Sequence, residues 1–256
     1  MMNGIRWICI TLILIIGLHA QNLQAVITDG EKLTFQVKYG LIAAAEATLE
    51  ITSTTFSNKE AWLISSKART YPFFDGVFTV RDTIRSWWEK DSLRTLRLTK
   101  YMNEGTYRQY RVLTYNHNKN TASYQRWNFK KRSFTTKQIS IPHNTQDILS
   151  AFYKVRQMNL TPGKTLFVNI TVDGKSVNTE VIVHRRETIS SIFGDKDCLV
   201  IEPRLKSEGI FKQSDKVLIW ITDDKYKVPL KMTSKIIFGA FTAILIDAKN
   251  VPYAIK

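Results

Sequence analysis

The most suggestive short motif in the chain is Gly174-Lys175-Ser176, which matches the end of a phosphate-binding loop. A complete loop needs another glycine five residues before Gly174, and that position holds Asn169. It also needs a strand-to-helix junction, because the backbone amides at a helix N-terminus cradle the phosphates. The triplet instead separates two strand-like runs, so we predict a hairpin turn there.

Residue types suited to metal binding or acid–base chemistry are present, but their spacing is unfavourable. Residues 184–187 read His-Arg-Arg-Glu rather than His-Glu-x-x-His, and on a strand His184 and Glu187 point to opposite faces. Asp223 and Asp224 are adjacent and diverge on a strand, whereas a glycosidase needs two carboxylates facing one bond. No Gly-x-Ser-x-Gly elbow presents a nucleophilic serine. We therefore predict no catalytic residue, no metal ligand and no cofactor.

The remaining candidates for chemistry are isolated in the sequence. His117, His143 and His184 are widely separated, and each lies near a turn or the end of an element, which favours solvated over catalytic histidines. Glu46 and Glu202 fall in strand-like runs and could face inward. Their spacing does not establish a pairing between them.

Charge is unevenly distributed and is more informative than any motif. Residues 81–137 hold fourteen basic and four acidic residues, so this stretch supplies +10 of the chain's formal +15. The same stretch holds ten aromatic residues. Basic side chains neutralise phosphates and carboxylates, while aromatic rings stack on sugars and bases. The combination favours a surface that binds a polyanion, although a solvated outer sheet face would have the same composition.

Six residues of this stretch are the candidate binding residues. Strand alternation places two arginines and a tryptophan on one face, and three consecutive basic residues further along form a turn. The six are Arg81, Arg85, Trp87, Lys130, Lys131 and Arg132.

The N-terminus has the form of a secretory signal peptide. Apolar residues 7–18 follow the single charge of Arg6 and precede small and polar residues. The run is short for a membrane-spanning helix, which needs about 20 apolar residues. We expect cleavage after Ala20, or as late as Ala25, so that residues 1–20 are the signal and residues 26–256 form one β-rich domain. An uncleaved N-terminal anchor is the alternative.

Export leaves Cys198 as the only cysteine of the mature chain, because Cys9 departs with the signal. An intramolecular disulfide is then impossible. Cys198 opens the apolar run 198–201 and is predicted to be a buried structural thiol. A catalytic cysteine would need a histidine and an electropositive, partly exposed site, and nothing places His184 beside the sulfur.

Turn residues punctuate the mature chain at short intervals, and the segments between them have the length of strands. Residues 165–172 and 177–183 flank Asp173-Gly174, which predicts a β-hairpin with a tight turn. The nearly continuous apolar runs 217–221 and 230–238 predict strands covered on both faces.

One amphipathic helix is predicted over residues 147–158, with Asn144 or Thr145 as its cap. Thr-Pro-Gly at residues 161–163 cannot continue it. A shorter helical turn is expected over residues 72–77. No linker or repeat interrupts the pattern, so the predicted fold is mainly β: a single antiparallel curved-sheet or barrel-like domain with one amphipathic helix.

Several short motifs follow one another in a distinctive order along the mature chain. They are residues 30–40, 45–49, 147–153, 162–164, 202–206 and 219–224. Their order resembles the bacterial envelope family known as domain of unknown function 3108. The likeness covers nearly all of the mature chain and implies a periplasmic or outer-membrane-associated antiparallel β fold of curved, barrel-like form. It carries over no catalytic residue, and Ala44 stands where many such sequences have glycine.

These observations predict an exported, non-enzymatic binding or envelope-maintenance protein, in the periplasm or associated with the outer membrane. Its basic face is expected to meet an anionic envelope glycan, lipopolysaccharide or lipid, or a membrane surface as a peripheral contact. Nucleic acid is not an expected partner, because export separates the protein from it. The alternative is an envelope hydrolase with an unrecognised active site. A transmembrane β-barrel fits less well, because residues 217–221 and 244–246 do not alternate.

Overall fold

The structure is a computed structural model and describes residues 27–204, 216–235 and 240–256. The predicted signal peptide over residues 1–20, its two predicted cleavage sites and Cys9 lie outside the described residues. The last part of the strand predicted over residues 230–238 also lies outside them.

The described residues form fourteen strands and two helices, so the prediction of a mainly β fold is confirmed. In chain order the elements are β1 (Lys32–Tyr39), β2 (Ile42–Phe56), β3 (Lys59–Thr70), α1 (Pro72–Asp75), β4 (Arg81–Glu89), β5 (Thr95–Glu104), β6 (Tyr107–Asn116), β7 (Thr121–Asn128), β8 (Ser133–Ser140), α2 (Ile148–Arg156), β9 (Thr165–Val172), β10 (Lys175–Ser191), β11 (Gly194–Arg204), β12 (Val217–Thr222), β13 (Pro229–Lys235) and β14 (Ala240–Lys249).

These strands form one antiparallel sheet in which most strands pair with their neighbours in sequence. A long-range pairing joins β1 to β14, with Tyr39 opposite Phe241. Because neighbouring strands are antiparallel, each odd-numbered strand runs toward the same end of the sheet. We call this end, which carries the turn at residues 40–41 and helix α1, the rim. We call the opposite end, with the turns at residues 57–58 and 117–120, the base.

Helix α2 begins with a capping box at Asp147. The Asp147 carboxylate accepts hydrogen bonds from the amides of Leu149 (2.7 Å) and Ser150 (3.1 Å), and the Ser150 hydroxyl accepts one from the Asp147 amide (3.0 Å). The predicted caps Asn144 and Thr145 are therefore wrong. Both residues lie before the helix, and the Asp147 carboxylate satisfies the free amides of the first helical turn instead. The helix also ends at Arg156, two residues before the predicted end.

Helix α2 lies inside the curve of the sheet. On one side, Tyr153 packs in a cluster with Ile64 of β3 and Trp88 of β4. On the other, Val155 packs with Val168 of β9 and Ile201 of β11. The two halves of the sheet therefore face each other across the helix, which is the predicted curved, barrel-like form.

The hairpin of β9 and β10 closes part of this curve. Asp173 and Gly174 have φ values of 50° and 79° at its turn, as a type I′ turn requires, so the predicted tight hairpin is confirmed, with Lys175 and Ser176 as the first residues of β10. The Asp173 carboxylate forms an ion pair with Arg111 of β6 and lies 3.8 Å from Nζ of Lys100 of β5. The hairpin tip thus contacts the opposite half of the sheet.

Strand β12 is covered on both faces, as predicted, whereas the same prediction is wrong for β13, in which Met232 and Lys235 are exposed. Ile219 and Ile221 face the cluster around α2, and Trp220 packs in a second cluster with Leu33 and Cys198. The prediction that Cys198 is buried is confirmed, because its side chain has no exposed surface. Burial raises the pKa of this thiol to about 12.

Candidate functional site

A cavity of about 360 Å³ lies between helix α2 and the concave face of the sheet. Its walls come from ten elements, which are far apart in sequence and come together only when the sheet curves. The helix contributes one wall, β1 to β3 a second, and β9 to β14 the rest. Large apolar side chains that line it are Phe35, Val37, Leu49, Ile148, Phe152, Val155, Val168, Ile170, Ile201, Val217, Ile219, Met232 and Phe241.

The lining of the cavity carries almost no polar chemistry. Among the described residues that line it, none is acidic and none is a histidine, and Lys231 is the only basic residue. The ammonium group of Lys231 lies 4.6 Å from the ring centre of Trp220, which belongs to the cluster on the opposite face of the sheet. The other polar contributions are hydroxyls, those of Thr48, Ser66, Thr179 and Ser234. The cavity therefore suits an apolar guest.

Two lining residues mark where the cavity meets solvent. Met232 is 42% exposed and Phe241 is 41% exposed, whereas the other described lining residues are buried or half-buried. Phe241 lies at the start of β14 and packs against Tyr39, with 5.3 Å between ring centres. The opening is therefore on the side of the sheet where β13 and β14 approach the rim.

A polar cluster at the start of α2 is the described group that most resembles catalytic machinery. Asp147 accepts a hydrogen bond from Ser86 (2.5 Å) and one from Ser150 (3.0 Å), and Ser150 also bonds Thr95 (2.6 Å). All four side chains have no exposed surface, so a substrate cannot reach them in this conformation. Burial raises the pKa of Asp147, although the hydrogen bonds oppose that shift. The cluster fixes the helix against β4 and β5.

A buried ion pair fixes the other end of α2. Arg156 donates two hydrogen bonds to the Glu31 carboxylate, at 2.6 Å and 2.8 Å, and Tyr153 donates a third at 3.2 Å. Burial by itself lowers the pKa of Arg156, but the adjacent Glu31 charge outweighs it and the pKa is raised. Both terminal nitrogens of Arg156 are thus engaged, since Nη2 also donates to the carbonyl of Tyr226 (2.9 Å), while its buried Nε has no partner among the described residues.

The acidic residues singled out from the sequence do not come together. Glu46 pairs with Arg69 (3.2 Å), while Glu202 bonds His184 (2.6 Å). Burial raises the pKa of Glu202, but hydrogen bonds from His184 and Arg204 outweigh it and lower the pKa. Ile201 and Pro203 line the cavity, so Glu202 points away from it. The two glutamates therefore form no acid–base pair.

Of the three histidines, His143 is exposed, as predicted, while His184 bonds Glu202 and His117 contacts the backbone. The Nε2 atom of His117 lies 2.7 Å from the carbonyl of Thr95, and its ring stacks on Tyr115. Burial lowers the pKa of His117, which is half-buried rather than solvated. Within the described part of the chain, no group of three or more histidine, cysteine or acidic side chains is placed to hold a metal ion.

The structure separates the predicted binding residues into three places. Arg85 and Trp87 line an open groove on the face of β4 to β6 opposite the helix. Arg81 is engaged elsewhere, because it pairs with Asp75 at 2.5 Å and donates to Thr70. The three basic residues at 130–132 form the exposed turn between β7 and β8, as predicted.

The groove contains a residue that the sequence did not single out. Arg97 of β5 lies opposite Trp87, and its guanidinium carbon is 6.0 Å from the centre of the Trp87 ring. The sequence does contain a signal for Arg97, because it alternates with Leu98. Leu98 is buried, so its neighbour Arg97 faces the other side of the sheet. An aromatic row continues from the groove across the sheet, through Tyr101, Tyr110, Phe134 and Trp127.

Comparison with known proteins places this architecture among uncharacterised families. A family model described as protein of unknown function (DUF3108) matches residues 34–246. No curated protein matches the chain. Among the described residues no helix is long and apolar enough to cross a membrane.

Three solved structures match most of the chain at low sequence identity, and one of them shows the same fold. A β-barrel-like protein of the DUF1849 family from Brucella abortus superposes with a TM-score of 0.59 at 9% identity, over 89% of this chain and all of that one. The hypothetical protein CT021 from Chlamydia trachomatis gives 0.40 at 8% identity, over 90% and 92% of the two chains. A protein from Bacteroides fragilis, assigned as exported and with a YmcC-like fold, gives 0.29 at 11% identity, over 86% and 96%.

Proposed function

The chain belongs to the DUF3108 family of proteins of unknown function, and we propose that it is an exported, non-enzymatic protein that binds a lipid acyl chain in the cavity beside α2. Its expected location is the periplasm or the surface of the outer membrane. Support for export comes from the signal-like pattern of residues 7–18.

The observation that carries the proposal is the apolar lining of the cavity. Its volume lies at the lower end of the range typical of small-molecule sites. Because none of the described residues that line it is acidic or a histidine, the cavity offers a guest burial of apolar surface and little polar recognition. A linear hydrocarbon chain with its polar end left at the opening, beside Met232 and Phe241, fits these constraints.

Chain length should control affinity. Each buried methylene contributes about 0.8 kcal/mol, while association costs at least about 4 kcal/mol in lost freedom of motion. Short fatty acids therefore bury too few methylene groups to offset this cost, and we expect them not to bind. We expect affinity to rise with length and then to level off once the cavity is filled.

The hydrolase alternative has weaker support. It requires a reactive group that a substrate can reach, and the polar cluster around Asp147 is closed to solvent. Asp147 already accepts hydrogen bonds from the helix amides and from Ser86, so its carboxylate has a structural role.

The test is binding of a fluorescent fatty acid to protein purified from the envelope fraction, followed by displacement with unlabelled acids of increasing length. The variant Ala243→Phe fills the cavity, because Ala243 lines it and is buried. Its control is Thr242→Phe, the neighbouring residue on the opposite face of β14. We expect Ala243→Phe to weaken binding by roughly tenfold or more and Thr242→Phe to leave it unchanged.

Native mass spectrometry of the same preparation supplies an independent measurement. A copurified lipid that is absent from Ala243→Phe supports the proposal. No binding of any acid, or equal loss in both variants, would contradict it.

A second candidate function concerns the outer groove and is favoured by one arrangement. Arg85 and Arg97 flank Trp87, and Tyr101 and Tyr110 continue the same surface. Guanidinium groups bind phosphates and carboxylates, and aromatic rings stack on sugars. This groove is suited to an anionic envelope glycan or the sugar phosphates of lipopolysaccharide. Both sites can operate in one protein, because they lie on opposite faces of the sheet.

A further inference from the structure

The two ends of the sheet differ sharply in the side chains they expose. At the rim, Leu41 is 98% exposed in the turn between β1 and β2, and Phe73 and Val77 are 84% and 82% exposed around α1. Further exposed apolar side chains of this end are Ile42, Phe78 and Phe129. We call these six residues the apolar rim.

The base has the opposite character. Its described turns contain Ser57 and Asn58, then residues 90–92, 116–120 and 223–225, which are polar or charged almost throughout. The three most exposed large apolar side chains of the described chain, Leu41, Phe73 and Val77, all lie at the rim, whereas Ile255 near the base is 51% exposed. The rim therefore exposes its apolar side chains more fully than the base does.

The apolar rim is built from separate connections held side by side. The amide of Tyr71, just before α1, donates to the carbonyl of Ala44, just after the first turn (3.0 Å). The amide of Gly105, in the turn between β5 and β6, donates to the carbonyl of Thr79 (2.7 Å). A side chain at Gly105 would collide with Phe78, so this turn packs directly on the rim.

Positive charge accompanies the apolar rim. Lys130, Lys131 and Arg132 follow Phe129 directly, in the exposed turn between β7 and β8 at the same end. Of the acidic residues near this end, Asp75 pairs with Arg81 and Glu46 pairs with Arg69, while Glu104 and Asp82 lie beside each other. Apolar side chains at the tips of turns beside a basic cluster are complementary to an anionic lipid surface.

We propose that the rim end docks on an anionic lipid bilayer, with the apolar rim among the lipid headgroups and Lys130, Lys131 and Arg132 against the phosphates. A bilayer suits this surface better than a folded protein partner, because projecting turns enter a fluid interface without a matching concave surface. The opening marked by Met232 and Phe241 lies on the sheet where β13 and β14 approach the same end. Docking therefore brings the cavity toward lipid, but it does not require the cavity to be filled.

The first experiment measures partition of the envelope-purified protein onto vesicles of phosphatidylcholine, with and without phosphatidylglycerol. The rim variant replaces Leu41, Phe73 and Val77 by serine. The matched control replaces Phe167, Ile246 and Ile255 by serine, which are 57%, 40% and 51% exposed and lie away from the rim. We expect the rim variant to lose roughly tenfold or more in partition and the control less than about twofold, because interfacial binding scales with buried apolar area.

The second experiment separates charge from apolar contact. Reversing Lys130, Lys131 and Arg132 to glutamate should remove the preference for phosphatidylglycerol vesicles. Reversing Lys119, Lys225 and Lys249, which are exposed at the base, changes the net charge equally and should retain that preference. Unchanged thermal transitions in all variants exclude misfolding as the cause.

The outcomes distinguish this inference from the proposed function. Loss of vesicle binding in the rim variant with retained binding of the fluorescent fatty acid supports docking as a separate property. Ala243→Phe should still bind vesicles. Equal partition of rim and control variants, or no partition of the parent protein onto either vesicle, would overturn the docking proposal whatever the cavity binds.

Discussion

Arg156 and Glu31 form a two-hydrogen-bond ion pair that joins the last turn of α2 to the residue just before β1. The atoms lie 2.6 Å and 2.8 Å apart, and both side chains are almost completely buried. The pair holds the helix in place on one side of the cavity. Its removal should therefore affect both stability and the shape of the site.

Glu31→Gln should destabilise the fold by about 3–5 kcal/mol, because it leaves the Arg156 charge buried without its partner. Urea unfolding followed by tryptophan fluorescence measures this difference. The double variant Glu31→Gln with Arg156→Met should recover part of the loss, since no uncompensated charge remains. A loss below about 1 kcal/mol in the single variant would show that the pair is not a buried anchor.

Cys198 should react very slowly with a thiol reagent in the native protein. Its pKa of about 12 leaves roughly one thiolate in ten thousand at pH 8, whereas an ordinary cysteine with a pKa near 8.5 is about one-quarter ionised. Labelling should become fast on unfolding in urea. Rapid labelling of the folded protein would contradict the buried environment of the sulfur.

The outer groove should bind an anionic polysaccharide through charge. The variant Arg85→Glu with Arg97→Glu should weaken that binding by roughly tenfold or more and flatten its dependence on salt. We choose Arg97 rather than Arg81, because Arg81 pairs with Asp75 and its reversal would disturb α1. Binding is measured by titration at several salt concentrations.

The control for the groove is Lys119→Glu with Lys225→Glu, which changes the net charge by the same amount at the base. Equal weakening in both double variants would indicate a diffuse charge effect. No binding at low salt would mean that the groove is a solvated sheet face.

Export should remove the apolar N-terminus. N-terminal sequencing of protein from the envelope fraction should begin at Gln21 or Val26, after cleavage at Ala20 or Ala25. The expectation rests on Arg6 and the apolar run that follows it. An intact Met1 in that fraction would exclude cleavage.

Several local features could be predicted because nearby residues decide them. The hairpin at Asp173 and Gly174 depends on two residues that adopt positive φ, and the structure has it where the sequence indicates it. The cap of α2 was missed for the opposite reason. Asn144, Thr145 and Asp147 are all suitable caps by type. In the structure Asp147 is the cap, and it also contacts Ser86 and Thr95, which belong to strands distant in sequence.

The exposed apolar residues of the rim could have been recognised from the sequence. Leu41 and Ile42 directly follow the turn at Gly40, and Phe73, Val77 and Phe78 surround the turn at Gly76. Apolar residues in turns have no strand to bury them. What the sequence did not indicate is that these turns share one end with the basic turn at residues 130–132, because that depends on how fourteen strands are ordered in the sheet.

The sequence by itself determined the mainly β fold, the amphipathic helix, the tight hairpin and the basic character of residues 81–137, because backbone conformation and side-chain alternation are local properties. Only the tertiary structure decided that the interior contains a cavity whose lining is almost wholly apolar. Val37, Ile148, Val168 and Phe241 are ordinary apolar residues along the chain, and alternation does not indicate whether the space they face is filled. The curvature of the sheet around α2 sets that space, and curvature results from contacts between residues more than a hundred positions apart, such as Arg156 and Glu31.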